Sequence, residues 1–80
     1  MEPRVREIIA ANSRVVDARQ VPADADLYQL GLTSHASVNV MLAIEEEFDV
    51  EFPDEVLKKA TFATVNSIVS VLAGLTDEVV

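Results

Sequence analysis

The chain contains no cysteine, and that absence removes two architectures at once. A disulfide-stapled scaffold and a thiolate zinc site both require Cys. Histidine occurs once, at His35, so a metal centre of three or four ligands lacks its usual donors. Glycine and proline number only two and three, so few points interrupt a regular backbone. No run of 18 apolar residues is present, and no basic start leads into an apolar stretch. Neither a membrane span nor a secretory signal is therefore expected, and the chain reads as cytoplasmic. Basic residues are also few: six Lys and Arg face 14 Asp and Glu, for a net charge of −8.

That charge is unevenly spread. Residues 1–20 hold four Arg and carry +1, whereas residues 21–80 hold only Lys58 and Lys59 and carry −9. A negative field repels nucleic-acid phosphates and anionic lipid heads. Nucleic acid and membrane insertion are not expected, and a protein with a basic patch is the better partner. Solubility alone is an equally good reason for the acids.

What is present is apolar and helix-forming. Half of the 80 residues are apolar. A chain of this length makes one domain, 1–80, burying about 60–65% of its unfolded surface. We expect its core over 3–75 and a frayed tail at 76–80. Val5, Ile8, Ile9, Asn12 and Val16 recur at helical spacing, predicting a helix over 3–17 with Pro3 in its first turn. Arg14 and Arg19 then fall near its C-terminal end, where positive charge suits the dipole. Residues 18–33 lack periodicity but are rich in Val and Leu, which suggests a long connection packed onto the core.

The strongest helix is predicted over 34–48, with Thr33 and Ser34 both able to cap it. Val38, Met41, Leu42, Glu45 and Phe48 share one face. Glu45, Glu46 and Glu47 oppose the dipole at its end, which suits either a solvated terminus or an interaction role. A short helix follows over 54–60, with Asp54 as cap. A last helix runs over 65–73, capped by Thr64 and stopped at Gly74. Three longer helices and one short one give an all-α fold, a small four-helix bundle.

No residue set converges on catalysis. Asp49, Glu51, Asp54 and Glu55 do not make a calcium loop, because the sixth position from Asp49 is Asp54 rather than glycine. Ser34 and His35 are chain neighbours and diverge by about 100° on a helix. There is no nucleophile elbow and no glycine-rich phosphate loop. What remains is a hydroxyl, Ser34, where a packed loop meets a helix N-terminus. Backbone N–H groups there favour an attached or approaching phosphate, and a plain cap is the competing reading.

The segment Leu30-Gly31-Leu32-Thr33-Ser34-His35, with Glu45-Glu46-Glu47-Phe48 and Phe52-Pro53-Asp54 after it, resembles the acyl carrier proteins. The likeness extends over roughly residues 5–75. It implies that Ser34 bears 4′-phosphopantetheine, transferred from coenzyme A by a separate phosphopantetheinyl transferase. It implies a discrete carrier without catalytic activity, holding acyl intermediates as thioesters for fatty acid, lipid or polyketide-type synthesis. Partners would be loading, condensing or acyltransferase enzymes with basic docking patches, and the carrier a monomer. By position, Thr33, His35, Asn39, Leu42, Glu45 and Glu46 would form the docking face. Val40, Ile44, Phe48 and Phe52 are candidates to line an acyl pocket, or are ordinary core.

The chain departs from that pattern at Thr33 and His35 beside the serine, and at Ala36 and Asn39, positions where relatives often carry acids, so the docking face begins neutral and turns acidic only at Glu45. Thr33 stands where relatives carry an acid and His35 where they carry leucine, which suggests a specialised carrier with dedicated partners. His35 is either a source of positive charge beside the phosphodiester at acidic pH or a neutral surface residue. An aminoacyl or peptidyl carrier shares the fold and the serine and is the first alternative. The Glu45–Phe48 run favours the acyl type over it. An acidic helical adaptor, with Ser34 as a mere cap, is the second.

Overall fold

Three α-helices supply the apolar faces, and the connections between them complete the core. A computed structural model describes residues 2–15 and 17–76. The helices are α1 (Glu2–Asn12), α2 (Ser34–Phe48) and α3 (Val65–Thr76). Two 3₁₀ turns, Asp54–Val56 and Lys59–Phe62, lie between α2 and α3. No strand occurs among the described residues. α1 packs against both α2 and α3, and the second 3₁₀ turn packs on α3. Val5 and Ile9 of α1, Val40 and Ile44 of α2, and Val65, Ile68 and Leu72 of α3 are wholly buried together. Phe52 and Phe62 close one end edge to face, with ring centroids 5.8 Å apart.

α1 is shorter than its periodicity predicts. Asn12 Nδ2 donates to the Ile8 carbonyl at 2.9 Å, and Ser13 Oγ donates to that of Ile9 at 2.6 Å. These side chains take acceptors that the next turn's N–H groups would use, and the helix ends. Arg14 and Arg19 consequently lie in the following connection, not at a helix terminus. Val16, counted in the predicted stripe, lies outside the described residues. So do 77–80 of the predicted tail, whereas Thr76 is the last residue of α3.

The connection over 18–33 is core-forming, as its composition suggests. Ala18, Val21, Leu27 and Leu32 are buried. Leu27 N–H donates to the Ala63 carbonyl at 2.7 Å, and Asn66 N–H donates to that of Ala23 at 2.9 Å, tying this segment to the start of α3. Arg6 Nη1 donates to the Val21 carbonyl at 2.6 Å. A polar linker could not bury its backbone in this way without such partners.

The predicted short helix is instead the two 3₁₀ turns. Pro53, extended at φ −70° and ψ 154°, occupies the cap position expected for Asp54, and no side chain caps the turn. Lys58 is extended at φ −136° and ψ 161° and separates the two turns. Val56 is half-buried while Leu57, Lys58, Lys59 and Ala60 face solvent. One turn beyond Val56 stand only Lys59 and the small Ala60, both exposed, so no large apolar side chain holds a continuous helix to the core. The backbone reverses to bury Thr61 and Phe62 instead.

α3 begins as predicted, with Ser67 N–H donating to Thr64 Oγ1 at 3.0 Å. It does not stop at Gly74. Leu72 is buried and Leu75 is half-buried, so the apolar stripe continues through the glycine. A lone glycine costs a helix about 1 kcal/mol, which that packing offsets.

Candidate functional site at the start of α2

Thr33 takes the capping duty, and this decides what Ser34 is free to do. Thr33 is extended at φ −97° and ψ 164°. Its Oγ1 accepts the Ala36 N–H at 3.0 Å, and its carbonyl accepts the Ser37 N–H at 2.9 Å. Ser34 is the first helical residue and is exposed. Among the described residues nothing hydrogen-bonds its hydroxyl; only its carbonyl is engaged, accepting from Ser37 Oγ at 2.7 Å. With the Ala36 and Ser37 N–H groups so engaged, those of Ser34 and His35 are the ones in this first turn left without an acceptor among the described residues.

Three residues earlier, Gly31 fixes the approach of the chain. Its φ is +122°, a region that side chains rarely adopt. A Cβ there would also meet the Arg14 carbonyl oxygen at 2.8 Å. Only glycine lets the loop press against residues 14–15 and still turn into Leu32, which is buried.

A groove of about 290 Å³ opens beside Ser34. Tyr28, Val38, Met41, Leu57 and Phe62 form its apolar wall. Ser34, Ser37, Lys58 and Lys59 complete its lining. Lys59 Nζ stands 5.0 Å from the centroid of the Tyr28 ring, a cation–π contact. No acidic side chain among the described residues lines this groove. Most of these residues escaped the sequence reading. The available signal was the adjacency of the chain's two lysines within a segment of net charge −9.

The residues assigned to a docking face separate into two groups. His35, Asn39, Leu42 and Glu46 are exposed, with Leu42 at 52%. Their spacing of three or four residues puts them on one stripe of α2, together with exposed Val38. Thr33 and Glu45 instead hold the fold. Thr33 is the cap, and Glu45 Oε2 accepts the Phe52 N–H at 2.8 Å. Glu47, too, is engaged: its Oε1 accepts from Arg4 Nη2 at 2.8 Å. That hydrogen bond, with the attraction of the guanidinium, lowers the Glu47 carboxyl below the ordinary value against a weaker opposing effect of desolvation. The proposed pocket residues Val40, Ile44 and Phe52 are buried core and Phe48 is half-buried; none lines the groove at Ser34.

The pattern of the family described as "Phosphopantetheine attachment site" matches residues 3–72. The chain belongs to that family. It is a carrier protein, bearing 4′-phosphopantetheine as its cofactor and contributing no catalysis of its own. An aminoacyl carrier protein of Agrobacterium fabrum (strain C58) is 46% identical over 69 residues, covering 85% of this carrier and 83% of that protein. Two crystal structures of an engineered Bradyrhizobium japonicum glycine:[carrier protein] ligase with a carrier protein from Agrobacterium tumefaciens contain similar chains. With AMP, the match has 41% identity and a TM-score of 0.85, covering 90% of this carrier and 97% of that chain. With ATP, the values are 39% and 0.86, covering 92% and 97%. A solution structure from Agrobacterium tumefaciens matches at 40% identity and TM-score 0.76, covering 96% and 94%.

The start of α2 fits such a cofactor on physical grounds. It offers an exposed hydroxyl with no structural duty, the unpartnered N–H groups of Ser34 and His35 for a phosphate, and two lysines that line the same groove as the serine. The attached group supplies a thiol on which cargo is held.

Proposed function

We propose that Ser34 is the attachment serine and that the cargo is an amino acid. The observation that carries the first part is the division of labour at the cap, where Thr33 Oγ1 satisfies Ala36 N–H and leaves the Ser34 hydroxyl in solvent. The second part is supported by the 46% identity to a protein named as an aminoacyl carrier, and by the similar chains crystallised with a glycine:[carrier protein] ligase. These favour the aminoacyl alternative over the fatty acid, lipid or polyketide reading. The sequence feature that argued the other way, Glu45 to Phe48, has a structural explanation independent of cargo. Glu45 fastens Phe52, and Glu47 fastens Arg4.

The exposed stripe of His35, Val38, Asn39, Leu42 and Glu46 is the face offered to loading and accepting enzymes. It is neutral beside Ser34 and acidic only at its far end. A partner selected by this carrier needs an apolar contact for Leu42, which is exposed outside the groove, more than a basic patch at the serine. That matches a carrier with dedicated enzymes.

The test is charging of the arm-bearing carrier, followed by intact mass. With ATP, glycine or another small amino acid, and an amino acid:[carrier protein] ligase, the mass should rise by one aminoacyl residue. Treatment with a competing thiol should reverse it. Charging by acyl donors and acyltransferases, with no amino acid accepted from such ligases, would return the carrier to the acyl class.

A further inference from the structure

The groove at Ser34 has a charge opposite to that of the chain around it. The chain has only two lysines in a background of net charge −8, and both line this one groove. Neither lysine is ion-paired among the described residues. Lys59 Nζ lies over the Tyr28 ring, 5.0 Å from its centroid, which places its ammonium beside another residue of the groove. Unpaired cations kept together in an acidic protein call for an anion. Much of the remaining lining is apolar, with Val38 at 49% exposure and Leu57 at 40% left uncovered.

We propose that this groove is the berth of the carrier's own arm, with Lys58 and Lys59 holding its phosphodiester and the wall of Val38, Met41 and Leu57 covering its aliphatic part. This rests on Ser34 being the attachment point. The occupant follows from position and charge. Ser34 itself lines the groove, so a phosphodiester on its oxygen enters the same space as the two ammonium groups. Coulomb attraction at close range holds the anion, and it is sensitive to salt because the lysines are exposed. The arm is thereby led from Ser34 along α2 toward the second 3₁₀ turn. That turn is set off from the first by Lys58, which is extended at φ −136°. A continuous helix over 54–60 would present the lysines differently.

The experiment compares carrier without and with the arm by amide and phosphorus NMR, after intact mass has established loading. Wild type should show arm-dependent amide shifts at Val38, Met41 and 57–59, beyond the immediate neighbours of Ser34. In the Lys58→Gln/Lys59→Gln double variant those shifts should fall by more than half and the phosphorus resonance should move. Lys58→Arg/Lys59→Arg should retain them. Raising salt to about 1 M, where the Debye length is about 3 Å, should imitate the Gln variant. Both lysines are exposed, so fold is preserved in either variant. Shifts confined to 33–36, or unchanged in the Gln variant, would overturn the berth while leaving Ser34 attachment intact. So would a Gln variant that weakens only ligase binding, since the lysines would then meet a partner's carboxylates. Failure to load Ser34 at all would overturn both.

Discussion

At the N-terminal end of α2 the structural duty falls on Thr33, and the serine beside it is left to solvent. At the C-terminal end the acids are themselves enlisted: Glu45 holds Phe52, Glu47 holds Arg4, and Asp49 closes the helix in the left-handed region at φ 53°. Both ends must satisfy unpaired backbone groups. One end does so with a neighbouring residue and leaves the Ser34 hydroxyl exposed. The other engages Glu45 and Glu47 in side-chain contacts and leaves Glu46 as the one of the three glutamates with no such contact among the described residues. A run of acids is thus a poor guide to a binding face until each carboxylate has been traced to its partner.

The largest effect on this arrangement should come from Gly31→Ala. The positive φ and the 2.8 Å approach to Arg14 make the substitution strained, at about 1–3 kcal/mol. Denaturant unfolding should show that loss, and arm loading should slow because the turn into the cap is displaced. Unchanged stability would mean that the 14–15 contact does not position the serine. Next comes Glu45→Ala, which strands the partly buried Phe52 N–H and should cost about 1–2 kcal/mol without altering arm loading. Thr33→Ala should cost about 1 kcal/mol, the usual value of a lost cap, and should fray the turn that carries Ser34. Equal effects of the last two on loading would erase the distinction between the ends.

The smallest effect belongs to Arg4 and Glu47, both at the surface. Their contact lowers the folded-state pKa of Glu47. Its contribution is therefore present above the unfolded value and fades as pH falls through the lowered one. In Arg4→Gln, Glu47 should titrate closer to an ordinary glutamate by NMR, with little change in unfolding midpoint because exposed pairs are screened.

Much of this molecule was legible in its sequence, for reasons that can be named. The run of Val38, Met41, Leu42, Glu45 and Phe48 is long and periodic, so the bounds of α2 were readable to the residue, but its buried side is Val40 and Ile44, and Val38 and Leu42 of the predicted face are exposed. Thr64 announced α3. The ends of α1 and α3 were less readable because local side-chain hydrogen bonds at Asn12 and Ser13 outweigh the periodic pattern, and because Leu75 carries packing past Gly74. The 3₁₀ turns were hidden because the pull on Phe62 comes from the tertiary structure. Ser34 was legible through its motif, but its freedom was not, since Thr33 and Ser34 were equally good caps. The groove was invisible because Tyr28, Met41 and Lys59 meet only on folding.

The most direct test of the account locates the mass added when the purified chain meets coenzyme A and a broad-specificity phosphopantetheinyl transferase. Peptide mass spectrometry should place one phosphopantetheine on Ser34 and none on Ser34→Ala, whose unfolding should match wild type. An unmodified Ser34, or an arm carried on Ser37 or another hydroxyl, would contradict the assignment of the free and structural roles at the start of α2.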